Sequence, residues 1–230
     1  MDKQRDSHLY IHAVGSFGEK TAAVLKELSQ DPLAVVLAGN DELLADGWPK
    51  ADAFVLAAWR PVQQLCRLFE RMSYSSLTPF IPIIMDAPHL QVGPVVAPGV
   101  GACHTCFEKR HLQHSARREA EHALREFYEA HPDAGPKGYL TPFAEIAAIR
   151  LIHFLAKLQA DPISVAGMVW RFDTMTRQVV SGRTVGIHGC TRCGLGSEER
   201  TRSFALLHRE ITRFLPIRGI RHEAAFAMVE

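Results

Sequence analysis

The stretch Leu9-Tyr-Ile-His-Ala-Val-Gly15 is rich in β-forming residues and ends at a glycine. A helical pattern of apolar residues follows it over Lys20–Leu28. A strand, a glycine turn and a helix in this order open a crossover unit, because neighbouring parallel strands need a connecting element that returns the chain to the same edge of the sheet. The start of the chain therefore predicts an α/β fold.

Short apolar runs repeat this pattern further along the chain. Leu33–Ala38, Ala53–Ala58 and Phe80–Met85 are typical of strands buried on both faces of a parallel sheet. Pro61–Met72 has apolar residues three and four positions apart, which predicts an amphipathic helix. We therefore expect a Rossmann-like, mostly parallel sheet with helices, contained in residues 1–100.

The pattern changes after residue 100, and we expect residues 101–230 to form a smaller α+β lobe that packs with the first half as one compact unit. A loop rich in Pro and Gly, residues 93–101, leads into this lobe. Four further elements are predicted: an exposed charged helix, a buried helix opened by Thr141 and Pro142, a β-hairpin and a C-terminal helix. The charged helix covers His111–Ala130, and the buried helix begins at Thr141. The hairpin covers Val165–Phe172 and Gln178–Val185, and the C-terminal helix covers Glu198–Phe214.

Charge and hydropathy exclude several kinds of partner. The 230 residues include 26 basic and 25 acidic side chains, so the formal net charge is +1 and no chain-wide field favours nucleic acid or an anionic membrane. The polar segment Met1–His8 has no hydrophobic signal core, and no apolar run reaches the length of a membrane-spanning helix. We therefore expect a cytoplasmic protein that binds neither nucleic acid nor membrane.

The most specific signal is a pair of CxxC motifs, Cys103-His-Thr-Cys106 and Cys190-Thr-Arg-Cys193. A two-residue spacer lets both thiolates of a pair reach one ion, and four thiolates complete the tetrahedral shell that Zn²⁺ prefers. Four sulfur ligands leave no position open for water, so we predict one structural zinc per chain. The 83 residues between the pairs mean that the ion would join distant parts of the domain. An iron–sulfur cluster and two separate dithiol redox pairs stay open as alternatives.

Three cysteine and histidine residues near these motifs are predicted to have other roles. Cys66 lies in an apolar segment and is expected to be a plain buried thiol. His104 and His188 flank the two pairs, and we expect them to lie around the metal site or on the surface rather than to bind the ion.

Three further groups of residues are candidates for ligand binding. Gly15-Ser-Phe-Gly18 lies between the first strand and helix, where α/β proteins cradle phosphates, but the full G-x-G-x-x-G pattern is absent and a structural turn is the alternative. The polar cluster Asn40, Asp41 and Glu42 after the second strand would suit a ribose. Asp86, Pro88 and His89 follow a strand and would lie at the carboxyl end of the sheet, where ligands bind in open α/β folds.

Several motifs that occur in one order resemble a known family, the ThiF-like, ubiquitin-activating-type subunits of thiazole/oxazole-modified microcin cyclodehydratases. The resemblance covers roughly residues 9 to 196, and its specific part is the two CxxC pairs in their contexts. The motifs are Pro88-His89, Gly93-Pro94, Pro98-Gly99, Cys103-x-x-Cys106-x-x-x-Arg110, the Ala-rich helix from Phe143, Val169 with Arg171-Phe-Asp173, and His188-Gly-Cys190-x-x-Cys193-Gly194.

This resemblance implies a role that depends on partners. Members keep the zinc tetrathiolate and work with a YcaO protein, which uses ATP to cyclise Cys, Ser or Thr of a precursor peptide into azolines. A flavin-dependent dehydrogenase often follows, and a homodimer is a further candidate assembly. The ThiF-like chain presents the precursor and activates its partner without a catalytic centre of its own, so we expect no ATP on this chain and regard Gly15 and Gly18 as a vestigial nucleotide turn.

One departure from the family and two alternative functions remain. Many members carry a winged-helix leader-recognition domain, whereas only residues 1–8 precede the first strand here, so we expect the leader-binding module on another chain or on a composite surface. The main alternative function is a ThiF-type adenylating enzyme that activates a carboxylate with ATP. The other is a zinc-stabilised nucleic-acid-binding or regulatory protein.

Overall fold

The computed structural model describes residues 9–28, 34–36, 50–194 and 211. Two predictions lie outside the described residues: the polar cluster Asn40, Asp41 and Glu42, and, apart from residue 211, the C-terminal helix Glu198–Phe214. The structure describes residues 34–36 by their backbone alone. Within the described ranges, no helix is long and apolar enough to cross a membrane.

The described part of the chain contains seven strands and six helices. The strands are β1 (Leu9–Val14), β2 (Ala34–Val36), β3 (Ala53–Ala58), β4 (Phe80–Asp86), β5 (His89–Val92), β6 (Met168–Asp173) and β7 (Val179–Arg183). The helices are α1 (Gly15–Leu28), α2 (Gln63–Ser76), α3 (His104–His114), α4 (Arg118–Ala130), α5 (Thr141–Ala160) and α6 (Pro162–Val165).

All seven strands belong to one mixed sheet in the order β2-β1-β3-β4-β5-β6-β7. The first four strands in this order are parallel to one another, and the remaining pairings, β4 with β5, β5 with β6 and β6 with β7, are antiparallel. The predicted hairpin thus forms, and it continues the main sheet through β5. The two predicted halves therefore share one sheet, while the boundary at residue 100 stays a prediction.

The central strands bury both of their faces. On β3, Phe54 and Leu56 pack in the layer under α2, and Val55 packs in the opposite layer with α1 and α5. Side chains alternate between the faces of a strand, so a strand covered on both sides is apolar at every position. This explains why Ala53–Ala58 reads as a continuous apolar run, and all six of its residues are buried.

Two helices differ from their sequence-based predictions. The charged segment His111–Ala130 does not form one helix, because α3 ends at His114 and α4 begins at Arg118. In the break, the hydroxyl of Ser115 accepts a hydrogen bond from the Arg117 backbone N–H (3.0 Å) and donates one to the Glu121 carboxylate (2.6 Å). These two hydrogen bonds stabilise the break at Ser115, because bonds between side chain and backbone compete locally with helix continuation.

The predicted buried helix is α5, and it is buried on its inner face alone. Ala144, Ala147 and Leu151 pack in the core against α1 and β5. On the outer face, Ile149 is 60% exposed and Ile152 is 37% exposed. The helix begins one residue earlier than predicted, since Leu140 rather than Thr141 occupies the N-cap position and Thr141 is the first helical residue.

A buried histidine makes the stability of this core depend on pH. His12 on β1 is fully buried against Phe69, and neither ring nitrogen has a hydrogen-bond partner among the described residues. Burial penalises the charged ring and lowers its pKa from 6.5 to about 4. Because the unfolded chain takes up this proton at a higher pH than the native protein, stability falls as the pH drops from 6.5 towards 4.

We expect the His12 ring to reduce the free energy of unfolding by about 2 kcal/mol between roughly pH 7 and pH 5. Urea unfolding of the wild type and of His12→Leu across this range measures the effect, since the variant lacks this contribution whatever its absolute stability. Parallel pH profiles for the two proteins would contradict the prediction.

Candidate metal centre

The first cysteine pair lies at the start of α3. Cys103 is the N-cap residue of this helix and Cys106 lies in its first turn, and both are buried. The first turn of a helix presents backbone N–H groups and the positive end of the helix dipole, which favour thiolate over thiol. The preceding loop, rich in Pro and Gly, delivers the chain to this position, as the sequence predicts.

The second pair follows β7 in a tight turn. The backbone N–H of Gly194 donates to the carbonyl of Cys190 (2.8 Å), and the N–H of Cys190 donates to the carbonyl of Ile187 (2.9 Å). A Cβ atom on Gly194 would collide with the carbonyl oxygens of Cys190 and His188. Glycine is therefore required directly after Cys193 for the turn to close.

The four sulfur atoms converge on one point. The Sγ atoms of Cys103 and Cys190 are 3.6 Å apart, those of Cys106 and Cys193 are 3.3 Å apart, and all four lie within 4.8 Å of one another. A tetrahedral ion with metal–sulfur distances of ~2.3 Å would place its ligands ~3.8 Å apart. A disulfide would need ~2.05 Å. The arrangement is thus compatible with one closed tetrathiolate metal site, while zinc as the metal stays a prediction.

The pKa values of Cys103, Cys106 and Cys190 shift in different directions. The hydrogen bond with Cys193 and burial raise the pKa of Cys103, and burial raises the pKa of Cys106 to about 12. Burial tends to raise the pKa of Cys190. Hydrogen bonds that include those from the backbone N–H groups of Cys193 and Arg192 have the opposite effect, and the resulting pKa is lowered to about 7. A divalent cation would compensate the buried negative charge of four thiolates.

Glu70 on α2 joins the two CxxC motifs, and sequence reasoning missed it. Its carboxylate is fully buried and accepts hydrogen bonds from the backbone N–H of Thr105 (2.9 Å), from the Thr105 hydroxyl (2.5 Å) and from the Arg192 guanidinium. Thr105 lies between the first two cysteines and Arg192 between the second two. Glu70 therefore holds both ligand-bearing segments by contacts that need no metal. We call Glu70, Thr105 and Arg192 the carboxylate clamp.

A signal for Glu70 exists in the sequence. It lies four positions after Cys66 and directly after Phe69, on the apolar side of α2 that faces the core. A carboxylate is almost never fully buried unless it is paired. Its position on an apolar helix face therefore indicates a buried partner, although the sequence does not say which one.

His104, His188 and Cys66 have distinct environments. His104 is buried between Phe80 and Phe107, with ring centroids 6.0 Å away in both cases, and burial lowers its pKa. His188 is exposed. Cys66 is a buried free thiol, as predicted, and burial raises its pKa.

The glycine turn Gly15-Ser-Phe-Gly18 forms the first turn of α1, directly after β1. A Cβ atom on Gly15 would overlap the indole of Trp59, which follows β3 and is 9% exposed. The hydroxyl of Tyr139 donates a hydrogen bond to the carbonyl of Ser16 (3.0 Å). Trp59 and Tyr139 therefore contact this turn, while Gly15 and Ser16 themselves are exposed.

Gly18 has a packing role that is open to test. A Cβ atom here would collide with the carbonyl oxygen of Ala57 and lie 3.2 Å from the backbone of Ala13, so α1 approaches β1 and β3 more closely than any other residue permits. We expect Gly18→Ala to lower the free energy of unfolding by about 2 kcal/mol, because the helix must shift in a packed core.

Gly138→Ala is the matched control for this substitution, since a Cβ atom added at Gly138 would meet nothing within 4 Å. It should leave the unfolding midpoint in urea almost unchanged. Equal midpoints for Gly18→Ala and Gly138→Ala would show that the close approach of α1 to the sheet is unimportant.

Asp86 and His89 face each other across the turn between β4 and β5, in the antiparallel pairing Asp86↔His89. Burial raises the pKa of Asp86, with Arg171 acting in the opposite direction. His89 points its Nε2 towards Asp173, at 3.7 Å. The structure thus places these residues on a hairpin, β5 being a strand that sequence reasoning missed, and no catalytic role for them is tested.

Comparison with known proteins gives a likeness of fold. No protein family matches the sequence, and no curated protein matches it either. Among solved structures, the heterocyclase TruD matches with a TM-score of 0.60 and 16% identity. The E. coli microcin synthetase McbBCD complex matches with a TM-score of 0.60 and 12% identity. E. coli MccB, crystallised with MccA, matches with a TM-score of 0.58 and 14% identity. At these identities the likeness concerns the fold alone.

The lengths of these proteins differ from that of the present chain. The match covers 82% of this chain but 28% of TruD, so the chain spans little more than a quarter of that heterocyclase. It covers 67% of the matched MccB chain and 71% of the matched McbBCD chain. The fold described here is therefore shared with components of heterocyclases and microcin synthetases.

Proposed function

We propose that this chain is a non-catalytic scaffold and activator subunit of an azoline-forming peptide cyclodehydratase. In this role it is a ThiF-like subunit that presents a precursor peptide to a YcaO partner, and the partner uses ATP to form the rings. The observation that carries the proposal is the fold, which this chain shares with TruD and with a chain of the McbBCD complex. The product would be an azole-containing, ribosomally made peptide such as a bacteriocin.

Within this proposal, the four cysteines hold one structural Zn²⁺. The tetrahedral spacing of their sulfur atoms supports a closed site, and thiolate ligands suit zinc. The ion fastens the start of α3, at the end of a Rossmann-like half, to the segment after the β6–β7 hairpin in the zinc-bearing lobe. Its contribution is to the geometry of the scaffold rather than to chemistry.

The side-chain packing around the first turn of α1 supports the expectation that ATP binds on the partner. The Trp59 indole packs on Gly15, and the loop that carries Gly135 and Tyr139 folds against the same region. These contacts occupy one side of the turn, although Gly15 and Ser16 are exposed. Gly15 and Gly18 then serve as a packed turn that retains the position of a nucleotide site without its function.

The alternative is a ThiF-type adenylating enzyme, and the likeness to MccB favours it, since MccB has been crystallised with ATP as well as with MccA. The two functions separate in a simple assay. An adenylating enzyme catalyses carboxylate-dependent exchange of pyrophosphate into ATP as an isolated chain, whereas a scaffold does not.

The test of the scaffold function is reconstitution with the YcaO protein encoded nearest this gene. The two chains should co-purify, and ring formation, seen by mass spectrometry as loss of water from a precursor peptide, should require both chains and ATP. ATP hydrolysis by this chain alone would support the adenylating enzyme. Failure to associate with any neighbouring YcaO protein would contradict the scaffold function.

Other associations follow from the same proposal. A flavin-dependent dehydrogenase would oxidise azolines to azoles after cyclisation, and a homodimer of this chain would offer two copies of the scaffold. The proposal places the assembly in the cytoplasm. Size-exclusion chromatography of the reconstituted complex measures the stoichiometry directly.

A further inference from the structure

A cleft of about 710 Å³ lies between α3, the start of α4 and the β6–β7 hairpin, apart from the cysteine cluster. Its floor is one face of the hairpin, where the cross-strand pairs Val169–Gly182 and Arg171–Val180 bring four alternating positions together. Its wall is the side of α3 that carries Phe107, Arg110 and His111. A volume of this size suits a short peptide segment or a small ligand.

Two arginines in this cleft have guanidinium donors to spare. The Nε atoms of Arg110 and Arg171 are buried without a hydrogen-bond partner in the part of the chain that the structure describes. Arg110 donates from its Nη1 to the amide oxygen of Gln113, at 3.4 Å on the surface. A buried guanidinium donor without an acceptor is costly, so the cleft favours a ligand that supplies acceptor atoms.

Arg183 and Glu121 line the same cleft and have partners, although the Oε2 atom of Glu121 has no hydrogen bond among the described residues. Arg183 donates its guanidinium N–H groups to the carbonyls of Ile163, Ser164 and Ala166. The carboxylate of Glu121 accepts from the Ser115 hydroxyl and lies 3.2 Å from the His111 ring. Arg110 and Arg171 are therefore left as the cationic groups available to a ligand, and carboxylates bind such a fork in two-point contacts.

The floor of the cleft continues to an exposed strand edge. All five residues of β7 are exposed, including Val179 at 55% and Val180 at 64%, and β7 is the last strand of the described sheet. An exposed, apolar edge strand is a template for pairing with another extended chain. Added strands gain affinity from main-chain hydrogen bonds and specificity from alternate side chains.

We propose that this cleft binds an extended peptide with acidic side chains, which adds to the edge of β7 and directs carboxylates to Arg110 and Arg171. Every second side chain of the peptide would face the cleft, with carboxylates at some of these positions and, at others, apolar side chains that cover Val169 and Val180. This inference deepens the proposed function and rests on it, because a precursor peptide is the ligand that a scaffold subunit presents. It assigns an acidic, extended segment of that precursor to this chain.

The test uses the full chain and fluorescein-labelled peptides with the repeat Glu-Thr-Val-Thr, which places glutamate and valine on the same face of a strand, or, as the neutral counterpart, the repeat Gln-Thr-Val-Thr. Fluorescence anisotropy should show saturable binding of the glutamate peptide and at least tenfold weaker binding of the glutamine peptide. Arg171→Gln and Arg110→Gln should each weaken the glutamate peptide about tenfold, as expected for loss of a charge-assisted hydrogen bond. N-methylation of alternate peptide bonds should also weaken binding, since it removes main-chain donors.

Arg118→Gln is the matched control, because Arg118 is exposed on α4 and outside this cleft, and it should bind the glutamate peptide like the wild type. Equal affinity for the two peptides, unchanged binding by Arg171→Gln and Arg110→Gln, or equal binding of a single-stranded oligonucleotide would overturn the proposal. No YcaO protein is present in this assay. A failure here is therefore distinguishable from a failure of complex formation.

Discussion

Cys190→Ser is expected to lose stoichiometric zinc and to lower the free energy of unfolding by roughly 5 kcal/mol or more. Serine has no soft thiolate, so the remaining three sulfurs cannot close the tetrahedral shell. The binding free energy of a structural ion is also folding free energy, because the unfolded chain has no preformed site. The sequence separation of 87 positions between Cys103 and Cys190 makes this junction long-range, and its loss would leave the carboxylate clamp to hold the segment after β7 near α3.

Two measurements check this result: metal content per chain by mass spectrometry, and urea unfolding with and without a strong chelator. Cys66→Ser is the matched control, because it replaces a buried cysteine outside the cluster and should keep one zinc per chain. The chelator should destabilise the wild type and Cys66→Ser but leave Cys190→Ser unaffected. A Cys190→Ser protein as stable and as zinc-loaded as the wild type would contradict the metal site.

Glu70→Gln is expected to lower the free energy of unfolding by about 3 kcal/mol, both with zinc and in the presence of chelator. The substitution preserves shape but removes the charge that the Arg192 guanidinium contacts, and it leaves that cation without its counterion. It also weakens the acceptor for the Thr105 N–H, which belongs to the first turn of α3. With both motifs less firmly held, zinc affinity should fall about tenfold or more.

Glu108→Gln is the control for this carboxylate. Glu108 is also buried, at 6% exposure, but its described ion pair is a single 3.4 Å contact with Arg67, whose side chain is 54% exposed. Such a half-solvated pair contributes about 1 kcal/mol or less. Equal unfolding free energies for the two variants, measured in chelator, would show that the carboxylate clamp does not act independently of the metal.

Much of the fold follows from local pattern. Apolar runs such as Ala53–Ala58 predict buried strands because both faces of a central strand meet other layers. The hairpin and the helix of Pro61–Met72 follow in the same way, from alternation and from spacing by three and four residues. β5 was missed because its four residues lie too close to the preceding strand for a period to show.

The break between α3 and α4 shows a different limit. Charged residues run on both sides of Ser115, so the helical pattern alone gives no reason for an end there. The end is decided by the Ser115 hydroxyl, which satisfies the N–H of Arg117 and contacts Glu121. A hydrogen bond between side chain and backbone competes locally with helix continuation, and its outcome depends on the packing of both helices.

The sequence by itself determined the two cysteine pairs, because a spacer of two residues brings two thiolates to one ion whatever the rest of the chain does. It also determined the buried strands and their crossover helices, since these depend on the periodicity of neighbouring residues. Only the tertiary structure decided that the two pairs meet, that Glu70 clamps them, and that Arg110 and Arg171 face one cleft with the exposed edge of β7. These arrangements join residues far apart in the chain, and such contacts depend on the packing of whole elements, which no local pattern records.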